Sequence, residues 1–191
     1  MSKLGKTTFE RSKNEFYPTP LKAIEPLLPH LPSNINYSEP CAGAGDLINN
    51  LKILRPDINC TFACDIDPRA NGIIQKSAIT VTKHDIEDID CFITNPPFKW
   101  DMFEPLTEHL ISLRPTWLLI PSDYMHNKRM ASLMKRCEKV VSVGRVKWFS
   151  DSNATSTDNF CWYLFNKENT KTIFYGRDSA WQHETYMVYS F

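Results

Sequence analysis

The strongest constraint on the fold is the point where a short apolar run meets two prolines. The run CFIT at 91–94 has the length and composition of a buried strand. Pro96 and Pro97 have no backbone N–H and a fixed φ, so the strand ends before them. The sequence therefore predicts a strand followed by a stiff turn that carries Asn95 and Phe98.

This turn presents two kinds of group to a ligand. The Asn95 side-chain oxygen and the free backbone carbonyls of Asn95 and Pro96 are hydrogen-bond acceptors. Phe98 adds an aromatic face. Together they suit an exocyclic amino group on a flat ring, because the acceptors hold the NH₂ and the aromatic side chain holds the ring. Asn-Pro is also a common turn signal, so an ordinary loop is an alternative for this motif alone.

Strand-like and helix-like segments alternate along the chain. The predicted strands cover 35–38, 59–63, 78–82, 91–94, 117–120, 140–146, 161–165 and 172–175. The predicted helices begin near Leu21, Asp46, Asp67, Pro105 and Pro121. This order predicts an α/β fold with a mostly parallel twisted sheet, helices on both faces, and a closing antiparallel hairpin.

Polar residues follow the first two predicted strands, where α/β sheets bind ligands. The segment EPCAGAGD at 39–46 has small residues that allow close approach of a ligand. Its Glu39 and Asp46 would repel a pyrophosphate and suit a cationic ligand. Asp65 lies about twenty residues later, where such folds place an acid on ribose hydroxyls.

Two further segments have both a structural and a ligand-binding interpretation. Thr19 and Pro20 have the pattern of a helix N-cap and a first helical residue. A hydroxyl and free N–H groups at such a helix start could also receive a carboxylate. Asp85 could accept from the amino group of an adenine while Ile86 packs on its ring, or it could be a solvated loop acid.

Length and composition limit the kind of protein that this sequence can encode. The 191 residues suggest one domain, and we expect a flexible basic tail over 1–15 followed by a single domain over 16–191. Because the formal net charge is zero, binding of a polyanion needs a local basic patch. No apolar stretch approaches a membrane span, and the N-terminus lacks a signal-peptide pattern. The six cysteines form no CxxC pair, so we expect reduced core residues, no metal site and a cytosolic protein.

Three segments in this order, FYPTP at 16–20, EPCAGAGD at 39–46 and NPPF at 95–98, resemble class I S-adenosylmethionine-dependent methyltransferases that methylate amino groups. The combination is similar to phage-type DNA N6-adenine methyltransferases. KWF at 147–149 and NFCWYLF at 159–165 resemble the closing hairpin of these small enzymes. The resemblance implies a Rossmann-like fold, S-adenosylmethionine as cofactor, and methyl transfer to the N6 atom of adenine in DNA.

The resemblance also implies roles for individual residues. The implied catalytic residues are Asn95, Pro96, Pro97 and Phe98. The implied cofactor-binding residues are Tyr17, Thr19, Pro20, Glu39, Pro40, Ala42, Gly43, Gly45, Asp46, Asp65, Ile66, Asp85, Ile86 and Asn95. Candidates for substrate binding are Lys99, Trp100, Arg145 and Lys147. A solvated face is an alternative for the charged candidates, and a core position at a helix start is an alternative for the tryptophan.

Several alternatives stay open. The segment after Phe165 is too short for the target-recognition domain of larger relatives, so we expect weak sequence discrimination, a homodimer or a partner subunit. NPPF also occurs in RNA methyltransferases, which act on adenine N6 or guanine N2. Protein-glutamine methyltransferases also use Asn-Pro-Pro, usually followed by Tyr and without FYPTP. A non-catalytic subunit that binds cofactor or nucleic acid is an alternative of another class. The resemblance implies the cytoplasm of a bacterium or of a phage-infected host.

Overall fold

The structure is a computed structural model that describes residues 17–149, 155–168 and 171–177. Its strands are β1 (Asn36–Glu39), β2 (Asn59–Asp65), β3 (Ile74–Gln75), β4 (Cys91–Thr94), β5 (Thr116–Pro121), β6 (Cys137–Arg145), β7 (Asn159–Phe165) and β8 (Ile173–Tyr175). Within the described residues these eight strands form one sheet, in the order β3-β2-β1-β4-β5-β7-β6-β8. The predicted basic tail over 1–15 lies outside the described residues.

Most strands run in one direction. Strands β1 to β5 pair in parallel, and β8 is parallel to β6, whereas β7 is antiparallel to both β5 and β6. The order reverses at β1, because β2 and β3 lie on one side of it and β4 and β5 on the other. Such a reversal opens a crevice at the carboxyl ends of the strands. The predicted parallel sheet and its closing antiparallel hairpin are confirmed.

Helices cover both faces of the sheet. They are α1 (Leu21–Ile24), α2 (Asp46–Leu54), α3 (Trp100–Leu113) and α4 (Ala131–Met134), joined in part by short 3₁₀ segments. Trp117 and Leu119 of β5 belong to the same core cluster as α1 and α2, whereas Leu118 and Ile120 pack with α3 and α4. Since successive side chains of a strand point to opposite faces, the two clusters lie on opposite sides of the sheet. The predicted arrangement of helices is confirmed.

The segment between β2 and β4 differs from the prediction. A helix was expected from Asp67 to about 76 and a strand at 78–82, but the described chain forms turns, then β3, then 3₁₀ helices at Ala78–Thr80 and His84–Ile86. Gly72 has φ +86°, outside helical geometry. Ile74 and Ile79 are each 50% exposed. The segment therefore lacks the buried apolar stripe that stabilises most helices in proteins.

Prolines and one asparagine shift the other helix boundaries. The helix predicted from Leu21 changes after α1 into a 3₁₀ helix, Glu25–His30, which contains two prolines. Helix α3 begins before Pro105 and continues through it, since Pro105 is exposed there. The helix expected after Pro121 is replaced by 3₁₀ turns, because Asn127 adopts an extended conformation and its side chain accepts from the Arg129 N–H.

Candidate active site

A cleft opens where the β1, β2 and β4 strands end, with about 860 Å³ of empty space including its open mouth. Residues predicted for the cofactor or for catalysis that line it are Tyr17, Thr19, Glu39, Pro40, Ala42, Gly43, Asp46, Asp65, Ile66, Asn95 and Pro97. The fold thus brings the three sequence motifs into one site.

The loop from β1 to α2 forms one wall of the cleft. Gly43 has φ +52° and Gly45 has φ +80°, values that residues with a Cβ rarely adopt. The Gly43 N–H donates to Asp65 Oδ2 at 2.7 Å, and the Asp67 N–H donates to Asp65 Oδ1 at 2.8 Å. Asp65 therefore holds the loop and keeps lone pairs for a ligand hydroxyl. Helix α2 has Gly45 as its N-cap, so Asp46 is the first helical residue and not the predicted cap.

Glu39, the last residue of β1, is a buried acid in the cleft lining. Its side chain is 2% exposed, and its Oε2 has no hydrogen-bond donor among the described residues. Burial raises the pKa of Glu39 well above its ordinary value, and the carboxylates of Asp65 and Asp46 raise it further, opposed by a backbone N–H of Ile48. A cationic group in the cleft would supply the missing donor and would favour the ionised carboxylate.

The Asn95 side chain is oriented by the first described residues of the chain. Its Nδ2 donates to the Tyr17 carbonyl at 3.2 Å and to the Thr19 hydroxyl at 3.3 Å. Because a carbonyl can only accept, the first contact determines which end of the amide is the donor. Asn95 Oδ1 is buried and has no donor among the described residues, although Asn95 lines the cleft. The site therefore offers one acceptor to an N–H or O–H group of a ligand.

Thr19 has a different role from the predicted helix cap. The N-cap of α1 is Pro20, which makes no side-chain cap hydrogen bond. Thr19 is only 3% exposed, and its carbonyl accepts from Asn50 Nδ2 at 2.9 Å. The α2 helix therefore holds the backbone of Thr19, while the hydroxyl contacts Asn95.

Aromatic side chains border the turn from Asn95 to Phe98. This aromatic cluster consists of Tyr17, Phe98, Trp148, Phe149 and Phe160. The Tyr17 and Phe98 rings are nearly parallel, with centroids 6.2 Å apart and an interplanar angle of 23°. The Tyr124 hydroxyl donates to the Phe98 carbonyl at 2.6 Å, which fixes the backbone after the two prolines. The cluster joins the first described segment, the turn after β4, the segment that follows β6 and the start of β7.

Asp85 and Ile86 do not line the cleft. Asp85 Oδ2 accepts from Lys76 Nζ at 2.6 Å and from both the N–H and the hydroxyl of Thr82 at 2.7 Å. The hydrogen bond from Lys76, followed by those from Thr82, lowers the pKa of Asp85 to about 2. Ile86 is 1% exposed and packs in the core with Leu110 of α3. The cleft lining includes Ser77 and Ala78 instead, and the adenine contact of Asp85 and Ile86 stays a prediction.

Other predicted residues lie behind or beside the lining. Those that support it without lining it are Pro20, Gly45, Pro96 and Phe98. Those predicted for substrate binding, Lys99, Trp100, Arg145 and Lys147, also lie outside the lining, and the three charged ones are exposed. Trp100 Nε1 donates to Glu104 at 3.0 Å, so the tryptophan is held at the start of α3.

The cleft also contains residues that sequence reasoning did not select. They are Pro18, Cys41, Leu47, Asp67, Arg69, Ser77, Ala78, Met102 and Leu106. Pro18 and Cys41 lie inside the FYPTP and EPCAGAGD segments, so a signal was present for them. Met102 and Leu106 come from α3, whose start was predicted too late. Ser77 and Ala78 come from the segment whose secondary structure was mispredicted, and no local pattern marks them.

The described residues contain no cluster of His, Cys, Asp and Glu side chains suited to a metal ion. Among the helices of the described segments, none is both long and apolar enough to cross a membrane.

No protein-family model and no curated protein sequence matches the chain. Solved structures with a similar fold include the methyltransferase subunit of a type I restriction-modification system from Streptococcus thermophilus, with a TM-score of 0.58, 12% identity, and coverage of 86% of this chain and 48% of that chain. A candidate RNA methyltransferase from Pyrococcus horikoshii has a TM-score of 0.54 and 14% identity, over 84% of this chain and 93% of that chain.

A candidate class I S-adenosylmethionine-dependent methyltransferase from Listeria monocytogenes has a TM-score of 0.53 and 11% identity, over 83% of this chain and 66% of that chain. The chain thus spans about half the length of the restriction-modification subunit and about two thirds of the Listeria protein. These similarities, with the eight-stranded sheet, show that the described chain has the Rossmann-like fold of class I methyltransferases.

Proposed function

We propose that the protein transfers a methyl group from S-adenosylmethionine to the exocyclic N6 atom of adenine in DNA. The observation that carries this proposal is the buried Oδ1 of Asn95 in the cleft, which has no hydrogen-bond donor among the described residues. Tyr17 and Thr19 hold the amide with its oxygen available, and Phe98 follows on the same stiff turn. An acceptor beside an aromatic ring is what an amino group on a flat base requires.

The cleft residues suit a cofactor with an amino-acid end, a ribose and an adenine. Glu39 is a buried acceptor for an ammonium group, and Asp65 is an acceptor for ribose hydroxyls. The Thr19 hydroxyl is available to the carboxylate, and Ile66, Ser77 and Ala78 offer a wall for a ring. When bound, S-adenosylmethionine supplies an electrophilic methyl group on a sulfonium. The residues of the chain supply position and hydrogen bonds.

Asn95 would activate the amino group by orienting it. The lone pair of an adenine amino group is delocalised into the ring, which makes the nitrogen a poor nucleophile. Hydrogen bonds from the NH₂ to Asn95 Oδ1 and to the Pro96 carbonyl localise that pair toward the methyl group. Orientation of two bound reactants can lower a barrier by about 7–11 kcal/mol. The proton leaves after transfer, so a strong general base is not required.

DNA substrates differ in how easily the base reaches the cleft. Flipping a base out of a duplex costs a few kcal/mol, and stacking on one aromatic side chain returns about 1–3 kcal/mol. The centroids of the Trp148 and Phe149 rings lie within 6.3 Å of the Tyr17 ring centroid, and these two rings extend the stacking surface. Exposed Lys99, Arg145 and Lys147 are candidates for phosphate contacts. We therefore expect single-stranded DNA to be the easier substrate.

A second candidate function is methylation of RNA at adenine N6 or guanine N2. The fold similarity to the Pyrococcus horikoshii candidate RNA methyltransferase extends over 93% of that chain and supports RNA methylation as a second candidate. The same Asn95 acceptor would serve either substrate. A protein-glutamine methyltransferase and a non-catalytic partner subunit are the remaining alternatives. The identity of the methylated substrate separates the three enzymes, and the absence of methylation indicates the partner subunit.

The test is transfer of radiolabelled methyl from S-adenosylmethionine, with duplex DNA, single-stranded DNA, RNA and protein offered in parallel. We expect N6-methyladenine in hydrolysed DNA, and a loss of at least about 100-fold in rate for Asn95→Ala because an oriented acceptor is removed. Asn49→Ala, an exposed asparagine on α2, is the matched control and should keep full activity.

The outcomes separate the candidates. Label in RNA alone would show that RNA, not DNA, is the substrate, and it would be consistent with the same active site. Label that persists in Asn95→Ala would show that the turn is not the catalytic centre. Cofactor binding without label in any acceptor would leave the partner-subunit alternative.

A further inference from the structure

We infer that Thr19 is a positioning residue that couples cofactor binding to the Asn95 acceptor. This inference rests on the proposed function and extends it, because it concerns how one half of the cleft affects the other. Its starting point is the 3.3 Å hydrogen bond from Asn95 Nδ2 to the Thr19 hydroxyl, which joins a predicted cofactor residue to the predicted catalytic one.

The Thr19 hydroxyl is placed to take part in two hydrogen bonds. Its oxygen accepts from Asn95, and a hydroxyl that accepts still has its own proton to donate. Thr19 is 3% exposed and lines the cleft, so the acceptor for this proton is an oxygen of a bound ligand. The carboxylate at the amino-acid end of the cofactor has that chemistry.

The hydroxyl is also fixed in place from several sides. Asn50 of α2 donates to the Thr19 carbonyl at 2.9 Å. Two residues earlier, the Tyr17 carbonyl accepts from Asn95 at 3.2 Å, and the Tyr17 ring stacks near Phe98. The segment 17–19 therefore contacts the cofactor side of the cleft, the catalytic amide and the aromatic cluster at once.

A ligand carboxylate at Thr19 would strengthen the acceptor at Asn95. When the hydroxyl donates to an anion, its oxygen becomes a better acceptor for Asn95 Nδ2, because hydrogen bonds in a chain polarise one another. The polarised amide carries more negative charge on Oδ1, which faces the substrate amino group. Binding of the carboxylate should therefore raise the affinity for the base, and by linkage the base should raise the affinity for the carboxylate.

Two substitutions separate this role from simple packing. Thr19→Val keeps the shape and removes the hydroxyl, whereas Thr19→Ser keeps the hydroxyl and removes the methyl group. If Thr19 acts through its hydroxyl, the valine variant loses the coupling and the serine variant retains it. If Thr19 only fills space, the serine variant is the weaker of the two. Thermal unfolding of both variants checks that each is folded.

The coupling is measured with two ligands that differ at the amino-acid end. S-adenosylhomocysteine carries the carboxylate, and 5′-methylthioadenosine lacks it. For the wild type, we expect saturating S-adenosylhomocysteine to raise the affinity for a single-stranded adenine oligonucleotide by about tenfold, within the usual range of such couplings. 5′-Methylthioadenosine should raise it less than twofold. In Thr19→Val the two ligands should have equal, small effects.

A second readout uses the free protein. The side-chain amide signals of Asn95 are assigned in a ¹⁵N-labelled sample by their absence in Asn95→Ala. We expect one of the two amide protons to shift upfield in Thr19→Val and to stay unchanged in Thr19→Ser. This measurement requires neither cofactor nor turnover.

The results distinguish the inference from the proposed function. Methyl transfer by the wild type together with undiminished coupling in Thr19→Val would overturn the inference and leave the function standing. Unchanged Asn95 amide signals in Thr19→Val would also overturn it. A wild type that methylates no nucleic acid would overturn the proposed function, and the inference with it.

Discussion

The Asp65 loop (65–69) and the Asp85 loop (82–86) each carry a carboxylate that accepts short hydrogen bonds, but they have different surroundings. Asp65 ends β2 and accepts from two backbone N–H groups, those of Gly43 and Asp67. Asp85 lies in a 3₁₀ helix and accepts from Lys76 and Thr82. Asp65 lines the cleft and Asp85 does not.

The two carboxylates differ in the charge of the groups that donate hydrogen bonds to them. The two backbone N–H groups that donate to Asp65 are neutral, so its negative charge remains available to ligand hydroxyls. Asp85 forms an ion pair with Lys76 at 2.6 Å, and its charge is neutralised locally. Lys76 also connects the two loops, since its backbone N–H donates to the Asp65 carbonyl at 2.9 Å. In this protein, Asp65 therefore keeps its charge for a ligand, whereas Asp85 shares its charge with Lys76.

The largest expected effect is that of Asp65→Asn on cofactor binding. An amide cannot accept from both Gly43 and Asp67 while also holding ribose hydroxyls with a full charge. Hydrogen bonds to charged groups contribute about 1.5–3 kcal/mol, so we expect the affinity for S-adenosylhomocysteine to fall by about 10- to 100-fold. Calorimetric titration measures this, and a change below about threefold would remove Asp65 from the cofactor site.

Glu39→Gln should have opposite effects on binding and on stability. We expect the affinity for S-adenosylhomocysteine to fall about tenfold, because the amide offers no charge to an ammonium group. The pKa of Glu39 is raised in the folded state, so folded Glu39 keeps its proton at pH values where the unfolded chain has lost it. The free energy of unfolding of the wild type should therefore decrease as the pH rises above about 4.5.

Glu39→Gln removes that pH dependence. Urea unfolding at pH 5 and pH 8 should show the variant gaining stability relative to the wild type at the higher pH. A wild type that becomes more stable relative to the variant over this range would contradict the raised pKa of the buried Glu39 carboxyl.

Asp85→Asn should lower the free energy of unfolding and leave the affinity for the cofactor nearly unchanged. The pKa of Asp85 is lowered to about 2, so its contribution to stability is present above about pH 4 and is lost as the pH falls through about 2. We expect the variant to lose about 1–2 kcal/mol at pH 7, with the difference shrinking below pH 4. Its affinity for S-adenosylhomocysteine should stay within about twofold, and a tenfold loss would restore the adenine contact predicted from the sequence.

The smallest expected effect is the coupling energy between Lys76 and Asp85. A double-mutant cycle with Lys76→Met and Asp85→Asn should give about 0.5–1 kcal/mol, because the two side chains remain 26% and 20% exposed and water screens the pair. Denaturation in 1 M NaCl should reduce this value. A coupling energy near zero would assign the stability of the Asp85 loop to the Thr82 hydrogen bonds.

Local patterns predicted the parts of this protein whose structure depends on near neighbours in sequence. The strands around 91–94 and 117–120 are continuous apolar runs, and they form β4 and β5 because such runs are buried on both faces of a sheet. The turn after β4 follows from two prolines without N–H groups. The glycines at 43 and 45 adopt the φ values that glycine permits. The secondary-structure prediction failed between 67 and 82, where the signal for a helix start was not followed by an apolar helix face.

Only the tertiary structure decided how the side chains of these motifs are used. The sequence alone identified Asn95 as a catalytic candidate. The orientation of its side chain depends on Tyr17 and Thr19, which lie 78 and 76 residues away in the chain and accept from its Nδ2. Asp65 and Asp85 were both predicted to contact the cofactor, and the fold pairs only Asp85 with a cation, Lys76. Backbone conformation responds to neighbouring residues, whereas the direction and charge of a side chain depend on partners that the fold brings from distant parts of the sequence.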